Sequence, residues 1–431
     1  MKEAVGIGLL GLGTVGRGVA EVLADRAQGL AEQAGLPLVL RKVLVHDVRK
    51  RRPAKISPDL LTGQPDEVLS HPEVDIAVEL IGGERPAKEY IERAISGGKH
   101  VVTANKELMA KHGHELLSLA GKLNVCLRYE ASVGSGIPLI SAFQHDLAAN
   151  RIMAIRAILN GTTNYILSRM AREGLNFAST LKEAQGLGYA EADPTSDIEG
   201  TDAAYKLVIL SNLAFGARFV PRDVYCEGIS KIAARDFAYA REFGYAIRLL
   251  AIARMDNNEV EMRVHPVFVP QNSQLAKIDG VYNAIEVETD LAGTLIFYGE
   301  GAGALRASSA VVADVLAIAR NIRCGVTNEV PWLRPDSRVT VKPMSELETR
   351  YYLRLNAPDR PGVLSQISKV LGDNSISIAS VIQREIDPAA QTAVIVIMTY
   401  PAKERLMQKA LQQLRQLSVV NEVSNFIRVA E

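Results

Sequence analysis

Short apolar runs alternate with amphipathic stretches over residues 4–130. Within Val15–Arg26, the apolar residues Val15, Val19, Val22 and Leu23 recur at helical spacing and share one face. Strands that alternate with helices predict a parallel, doubly wound sheet, and hence an α/β fold. The predicted strands are Ala4–Leu10, Leu38–Val45, Val74–Ile81, His100–Thr103 and Val125–Tyr129, and the predicted helices are Val15–Arg26, Glu89–Ser96 and Glu107–Leu119.

A glycine-rich turn connects the first strand to the first helix. One glycine makes the turn, a second lets the backbone approach a pyrophosphate, and a third lets helix and strand pack closely. The N-terminus of the helix then offers its N–H groups to the phosphates. This Rossmann-type turn predicts dinucleotide binding by Gly11, Leu12, Gly13, Thr14, Val15 and Gly16.

The residues after the second strand bear on which dinucleotide is bound. An acidic residue there, such as Asp47, would hold a ribose 2′-hydroxyl, whereas nearby cations would hold a 2′-phosphate. Both types are present, so NAD is possible, and the cations favour NADP. A solvated loop is the alternative interpretation of these cations, Arg49, Lys50, Arg51 and Arg52.

Lys106 begins the segment after the strand His100–Thr103. The carboxyl end of a parallel strand faces the crevice where such sheets bind ligands. Position alone fits equally well a ligand-binding lysine and a surface lysine that starts the next helix.

The pattern changes near residue 137. Strands are predicted at Ile152–Leu159, Met262–Val269 and Ala284–Glu288, which indicate an α+β domain. An acidic stretch follows the first of them, and in it Asp197 is predicted to cap a helix that runs to about Leu213.

Asp202 and Lys206 are four residues apart on that helix and therefore share a face. Taken alone, such a pair is usually an exposed ion pair. The neighbouring Leu207, Val208 and Ile209 instead predict a mostly buried helix, which makes the pair a candidate for acid–base chemistry.

The chain resembles the homoserine dehydrogenase family from residue 1 to about 325. The resemblance rests on the glycine turn at 11–16, TANK at 103–106, EASVGSGIP at 130–138, NGTTNYI at 160–166, the acidic signature at 184–206 and a late glycine turn at 299–304. It implies interconversion of L-homoserine and L-aspartate 4-semialdehyde with NAD(P). A homodimer through the middle domain is expected on a separate ground, because its predicted apolar strands could form a sheet with one face left for a partner. Paired C-terminal domains could extend this homodimer to a homotetramer.

The resemblance also implies roles for single residues. Lys206 would donate the proton to the carbonyl and Asp202 would orient the reacting oxygen, which is consistent with charge developing there during hydride transfer. The implied substrate-binding residues are Glu191, Asp197, Gly161, Thr162 and Lys106, and Lys106, Gly301 and Gly303 are also implied to contact the cofactor.

The family further implies a bound sodium ion. Its ligands would be the Glu130 side chain and the backbone carbonyls of Val133, Ser135 and Ile137. Carboxylate and carbonyl oxygens suit a hard cation. On the residues alone, Glu130 is more typical of a hinge.

A proline-containing linker is predicted at 326–349, and the last 82 residues, 350–431, have the order βαββαβ of a ferredoxin-like fold. This segment resembles the ACT domain, which binds small amino acids, and the family makes threonine the expected effector. A purely structural dimerisation domain is the alternative. The predicted domains are thus 1–136, completed by helix 304–325, then 137–303, the linker, and 350–431.

Composition narrows the remaining classes. The 431 residues carry 49 basic and 49 acidic side chains, a balance that argues against a nucleic-acid partner. No run approaches the length of a membrane span. Three widely spaced cysteines, expected to be buried, indicate a reducing cytoplasmic setting. The alternatives to the enzyme are another amino-acid or semialdehyde dehydrogenase, or a catalytically inactive amino-acid sensor.

Overall fold

The computed structural model describes residues 2–50, 56–326, 338–387 and 389–430. The strands are β1 (Val5–Leu10), β2 (Leu38–Leu44), β3 (Leu61–Thr62), β4 (Ile76–Glu79), β5 (His100–Thr103), β6 (Leu127–Arg128), β7 (Ile152–Ile158), β8 (Tyr225–Cys226), β9 (Tyr245–Asp256), β10 (Glu259–Pro270), β11 (Tyr282–Thr289), β12 (Thr294–Glu300), β13 (Thr340–Val341), β14 (Glu348–Pro358), β15 (Ile378–Asp387), β16 (Thr392–Thr399), β17 (Ala402–Lys403) and β18 (Glu422–Val429). The helices are α1 (Thr14–Asp25), α2 (Ala27–Ala34), α3 (Asp66–Leu69), α4 (Ala87–Ser96), α5 (Lys106–Lys122), α6 (Gly161–Glu173), α7 (Phe177–Gly186), α8 (Thr195–Ile198), α9 (Thr201–Phe215), α10 (Ala234–Glu242), α11 (Ala304–Cys324), α12 (Val363–Asp373) and α13 (Glu404–Gln416).

The chain divides into two compact units. Unit 1 comprises Met1–Met153, Tyr205–Arg222 and Val287–Arg338, and unit 2 comprises Ala154–Ala204, Asp223–Glu286 and Val339–Glu431. The division falls inside α9, between Ala204 and Tyr205.

Unit 1 is built on a parallel sheet with the order β3-β2-β1-β4-β5-β6. All six residues of β1 are buried, as expected for a strand covered on both faces. The order reverses at β1, between β2 and β4, which is where doubly wound sheets bind ligands. The predicted α/β fold and its five strands are confirmed, although the last strand, β6, is only two residues long.

Helix α11 returns from late in the chain to pack on α1. The Ser308 hydroxyl donates to the carbonyl of Val15 (3.2 Å), and a Cβ on Gly18 would lie 2.3 Å from that hydroxyl oxygen. Glycine at this position therefore permits the close approach of the two helices. The predicted helix at 304–325 is confirmed as α11. It ends at Cys324, and the following Gly325 has a left-handed backbone conformation.

Unit 2 contains a mixed sheet in which β11-β7-β9-β10-β18-β14-β16-β15 are neighbours. The last four strands, with α12 and α13, form the predicted βαββαβ segment, and its core includes Tyr351, Ile367, Ile397 and Leu414. Its strand β18 pairs in parallel with β10, where Val267 lies opposite Arg428. The C-terminal segment therefore shares one sheet with the middle of the chain.

The cysteines, the linker and the basic loop differ from what was expected or lie partly outside the described residues. Cys126 is buried, but Cys226 and Cys324 are exposed, so the expectation that all three are buried is wrong. Of the predicted linker, 327–337 lies outside the described residues, and β13 pairs with β10. Arg51 and Arg52 also lie outside them.

No helix among the described residues is long and apolar enough to cross a membrane.

A buried polar cluster joins the C-terminal segment to α10. Asp236 is fully buried and accepts hydrogen bonds from Arg354 Nε (2.7 Å), Tyr352 Oη (2.9 Å) and Asn425 Nδ2 (2.6 Å). It also accepts the backbone N–H of Ala233 (2.9 Å) at the start of the helix. The Arg354 side chain is 9% exposed, so this ion pair lies away from solvent.

We expect Asp236→Ala to lower the free energy of unfolding by about 3–5 kcal/mol, because it leaves the Arg354 guanidinium buried without its counter-charge. Asp373→Ala is the matched control, since it removes an exposed ion pair with Lys369 and should cost less than about 1 kcal/mol. Equal losses for both variants in urea denaturation would contradict this assignment.

Candidate active site

The glycines of the turn between β1 and α1 differ in their backbone conformation and in the space around them. Gly11 has a φ of +107°, and a Cβ there would lie 2.8 Å from the carbonyl oxygen of Leu80. A Cβ on Gly16 would lie 2.3 Å from the carbonyl oxygen of Gly11. Gly13 instead has a φ of −74°, and beyond its own stretch of backbone none of the described residues has an atom within 4 Å of a Cβ placed there.

Gly11 and Gly16 are therefore needed by the fold, whereas the space beside Gly13 is open. That space is a cradle that a Cβ would fill, as expected where a backbone approaches a pyrophosphate. Leu12 precedes Gly13, and Thr14 and Val15 begin α1, so their backbone N–H groups lie at its positive end. The predicted residues 11–16 thus fit a dinucleotide.

The loop after β2 carries the predicted cations. The carboxylate of Asp47 accepts the backbone N–H of Arg49 (2.8 Å), which closes a small turn. Arg49 and Lys50 are exposed in this turn. The turn holds them at the carboxyl end of β2.

The late glycine turn lies in the same unit. Gly301 is buried, and Gly303 has a φ of +116° directly before α11. A Cβ on Gly136 would lie 2.6 Å from the carbonyl oxygen of Glu300, so the loop at 130–137 packs closely against the end of β12. Glu300 also pairs with Arg306 on α11.

Lys106 is the first residue of α5 and is half-buried. Asn105 caps the helix, because its side-chain oxygen accepts the N–H of Leu108 (3.1 Å). Lys106 thus follows β5 immediately, at the predicted edge of the sheet.

The Glu130 carboxylate is held by backbone donors. It is 7% exposed and accepts the N–H groups of Leu139 (2.7 Å), Ile140 (2.9 Å) and Ser141 (2.8 Å). Burial raises the pKa of this carboxyl, and the three N–H groups oppose that rise. The side chain therefore fastens the start of the next helical turn to the loop.

Asp314 on α11 holds the other end of this loop. Its carboxylate accepts the backbone N–H of Glu130 (2.8 Å), and burial raises its pKa to about 7. Gly134, with a φ of +64°, lets the loop reverse between the buried Val133 and Ile137, and Ser135 is half-buried. One carboxylate and several carbonyls in one loop form an oxygen-rich donor set that suits a hard cation such as sodium.

In unit 2, one amide joins two of the predicted carboxylates. Nδ2 of Asn160 donates to Asp197 Oδ1 (2.7 Å) and to Asp202 Oδ2 (2.9 Å). The Asn160 oxygen accepts the N–H of Thr163 (2.9 Å), so the same side chain caps α6. Asn160 and Asp202 are 5% and 2% exposed, respectively.

The prediction that Asp197 caps a long helix is wrong. Gly200, with a φ of +85°, separates α8 from α9, and Asp197 lies inside α8. Since α8 has only four residues, it turns the chain and brings the Asp197 carboxylate to Asn160 instead of to the start of α9.

Two other predicted substrate residues, Gly161 and Thr162, are the first two residues of α6. Gly161 is its first residue, and a Cβ there would lie 2.6 Å from the carbonyl oxygen of Val281. The Thr162 hydroxyl donates to the carbonyl of Tyr189 (2.7 Å) and so anchors the loop that leads to Glu191. Glu191 itself is exposed, and its carboxylate has no hydrogen bond or ion pair with any residue that the structure describes.

Asp202 and Lys206 lie one turn apart on α9. Lys206 is 8% exposed, and Leu207, Val208 and Ile209 are buried beside it, so the prediction of a mostly buried helix is confirmed. A buried ammonium one turn from a buried carboxylate can donate a proton and stabilise negative charge on an oxygen.

Sequence reasoning missed Asn160 as a site residue. The motif at 160–166 was visible, and an asparagine directly before a helix predicts a cap, but the contact with Asp197 and Asp202 joins segments 37 and 42 residues apart.

Comparison with known proteins supports the resemblance. Residues 11–130 match the family model for the homoserine dehydrogenase NAD-binding domain, 138–316 match the homoserine dehydrogenase model, and 351–419 match the ACT domain. The homoserine dehydrogenase of Neisseria gonorrhoeae is 44% identical over 432 residues, which cover 99% of each chain.

Two solved structures extend the comparison. The homoserine dehydrogenase of Thiobacillus denitrificans has a TM-score of 0.92 and 42% identity, and the match covers 99% of this chain and 98% of that one. A hyperthermophilic archaeal homoserine dehydrogenase in complex with NADPH has a TM-score of 0.63 and 26% identity, and the match covers 77% of this chain and 100% of that one.

We expect Gly13→Ala to fold with an unchanged melting temperature but to bind NADPH at least about tenfold more weakly, because its methyl group fills the cradle. Gly16→Ala is the contrasting variant, since its methyl group meets the Gly11 carbonyl and should lower the melting temperature as well. NADPH fluorescence titration and thermal unfolding test both, and unchanged NADPH affinity in folded Gly13→Ala would contradict the assignment.

Proposed function

The chain belongs to the homoserine dehydrogenase family, and we propose that Lys206 and Asp202 are the catalytic pair of its NAD(P)-dependent oxidoreductase reaction. The reaction interconverts L-homoserine and L-aspartate 4-semialdehyde. The proposal rests on one observation: Asp202 and Lys206 are both buried one turn apart on α9, and Asp202 accepts a hydrogen bond from Asn160.

Lys206 donates the proton when the aldehyde is reduced. The bound nicotinamide supplies the hydride in that direction and accepts it in the other. Negative charge then develops on the carbonyl oxygen, and the ammonium of Lys206, a residue only 8% exposed, interacts with that charge more strongly than an ammonium in water does. In homoserine oxidation the same group, as the amine, takes the hydroxyl proton.

Asp202 orients the reacting oxygen, and Asn160 fixes the direction of the Asp202 carboxylate. Both N–H groups of the Asn160 amide are used by Asp197 and Asp202, so the two carboxylates are held together. The exposed Glu191 binds the substrate ammonium. Asp197, Gly161, Thr162 and Lys106 complete the substrate-binding set.

The cofactor is NADP in preference to NAD. The turn at 11–16 binds its pyrophosphate, and Gly301, Gly303 and Lys106 bind the nicotinamide side. Arg49 and Lys50 are exposed at the end of β2, where cations contact a 2′-phosphate. The NADPH complex of the archaeal relative supports this preference.

A sodium ion binds in the loop at 130–137, where the Glu130 carboxylate and the carbonyls of Val133, Ser135 and Ile137 hold it. The cation supplies no redox chemistry there and stabilises the turn that packs against Glu300. The oxygen donors support a hard cation over a softer metal.

The ACT domain makes the enzyme responsive to an amino acid, and threonine is the effector. The functional domains are 1–136 with helix 304–325, then 137–303, and 350–431 after the linker at 326–349. The enzyme is a cytoplasmic homodimer or homotetramer, and β12 exposes Ile296 and Tyr298, which suit a subunit contact. An inactive amino-acid sensor is not favoured, because Asp202 and Lys206 are both present.

We expect Lys206→Ala to lower kcat for homoserine oxidation by about 10²–10⁴-fold, because it removes the group that exchanges the proton. The dissociation constant for NADPH should change less than about twofold, since the effect belongs to the transition state. Asp202→Asn should lower kcat in the same direction while the protein stays folded.

Lys182→Ala is the matched control, because Lys182 is an exposed lysine on α7. Its kcat should equal that of the unaltered enzyme. Near-normal turnover of Lys206→Ala would remove Lys206 from the proposed role, and loss of folding in both site variants would make the pair structural.

We expect threonine to inhibit the full-length enzyme by lowering its affinity for homoserine about 5–150-fold, the usual range of coupling between two sites. The full chain is required, because β18 pairs with β10 and truncation would uncover that strand. Calorimetry should show threonine binding that homoserine weakens reciprocally, with alanine as the control ligand. If threonine inhibits by occupying the homoserine site itself, allostery is refuted. If calorimetry shows no threonine binding, threonine is refuted as the effector.

A further inference from the structure

Glu79 is a completely buried carboxylate at the carboxyl end of β4. Leu10 of β1 lies opposite it on one side and Thr103 of β5 on the other. It therefore occupies the middle of the sheet edge at which the order of strands reverses.

The side chain turns back onto the loop that follows it. Glu79 Oε1 accepts the backbone N–H groups of Ile81 (2.7 Å) and Gly82 (3.1 Å). Its Oε2 accepts the hydroxyl of Thr103 (2.6 Å). All three donors are neutral, so the carboxylate holds backbone and hydroxyl groups in place and forms no ion pair with any described residue.

Two further hydrogen bonds close a ring. Thr103 Oγ1 accepts the backbone N–H of Asn105 (3.0 Å), and Asn105 Nδ2 donates to the carbonyl of Gly83 (2.6 Å). The ring thus runs from Glu79 through Thr103 and Asn105 back to the loop at 81–83. It joins the loop after β4 to the start of α5, which carries Lys106.

The position of this ring indicates what it holds. The residues after β2 address the adenosine ribose of a dinucleotide, so its nicotinamide half extends past β1 towards β4 and β5. The loop at 81–83 is exposed, and both Gly82 and Gly83 have left-handed backbone, with φ of +79° and +70°. An exposed loop in that conformation keeps its position only if it is tied from within.

We propose that Glu79 is a positioning residue that holds the 81–83 backbone and Lys106 in register with the nicotinamide half of the cofactor. This inference rests on the proposed function, and it adds a residue that touches neither substrate nor cofactor. The carboxylate is suited to the role because both of its oxygens only accept hydrogen bonds. A glutamine would turn an NH₂ group towards one of the donors and break the ring.

The test compares two threonines that close the same kind of turn at the edge of this sheet. Thr103 accepts the N–H of Asn105, and Thr62, at the end of β3, accepts the N–H of Gln64 at the same distance of 3.0 Å. Both are buried, at 0% and 4% exposure. Only Thr103 also contacts Glu79, so Thr62→Val controls for the loss of one buried hydroxyl.

We expect Thr103→Val and Glu79→Gln to raise the dissociation constant for NADPH and to lower kcat for homoserine oxidation, each by about tenfold, the effect of one hydrogen bond to a charged group. Thr62→Val should leave both quantities within about twofold of the unaltered enzyme. Its melting temperature should fall about as much as that of Thr103→Val, because each loses one buried hydroxyl. Glu79→Asp should recover part of the loss, because its carboxylate still accepts two backbone N–H groups.

The proposal is overturned if folded Thr103→Val matches Thr62→Val in NADPH affinity and kcat. It is also overturned if Thr103→Val fails to fold while Thr62→Val folds, because the ring is then part of the fold. If Glu79→Gln does not fold, Thr103→Val decides. An unaltered enzyme that binds NADPH but does not oxidise homoserine would refute the proposed function, and the NADPH titrations would still test the ring.

Discussion

A carboxylate that leaves water must find hydrogen-bond donors, and this constraint organises the functional parts of the molecule. Glu79 gathers the loops at the edge of the parallel sheet, and Glu130 fastens the turn at 130–141. Asp202 is held by Asn160, and Asp236 by Arg354. An unpaired buried carboxylate is very unfavourable, so each donor is fixed as firmly as the acid that it serves.

The kind of donor differs among these carboxylates. Neutral donors satisfy Glu79, through two backbone N–H groups and the Thr103 hydroxyl, and Glu130, through three backbone N–H groups. The side-chain amide of Asn160 contributes another neutral donor to Asp202. Two arginines of the C-terminal segment, Arg354 and Arg428, pair with Asp236 of α10 and with Glu404 of α13, in addition to neutral donors. Neutral donors leave the negative charge of the carboxylate uncompensated. Arginine neutralises it, which suits a permanent joint between two segments.

The sequence predicts those features that depend on local periodicity. The parallel strands and the βαββαβ order follow from apolar spacing over single segments, and the glycine turn at 11–16 follows from its place between a strand and a helix. Helix α11 was expected from the family resemblance. Features that depend on distant residues were missed. The break at Gly200 is one: its backbone is left-handed, with a φ of +85°, and a Cβ there would lie 3.1 Å from Val264, a residue far away in the sequence. The role of Asn160 is another, since a cap is visible locally but its second partner is not.

The exposure of Cys226 and Cys324 has the same cause. A small apolar residue in an apolar context is usually buried, but burial depends on which side of the element faces the core. Cys324 is the last residue of α11, and Cys226 ends the two-residue strand β8, so both lie where an element leaves the core.

The contacts between the C-terminal segment and the rest of unit 2 extend towards the carboxylate of Asp197. Arg428, 1% exposed, binds Glu404 of α13 (2.6 Å) and Glu227 (2.8 Å). Two residues after Glu227, the N–H of Ile229 donates to the carbonyl of Ile198 (2.9 Å), the last residue of α8.

Asp197 precedes Ile198 in the chain and accepts a hydrogen bond from Asn160, so hydrogen bonds and short backbone steps connect β18 with Asn160. Continuity alone does not make a switch. Regulation also requires an element with two arrangements that the effector and the substrate stabilise differently. The four-residue helix α8 lies within this connection, because Ile198 contacts Ile229 and Asp197 contacts Asn160. Left-handed Gly200 separates α8 from α9, the helix that carries Asp202 and Lys206, so the two helices are not one continuous element.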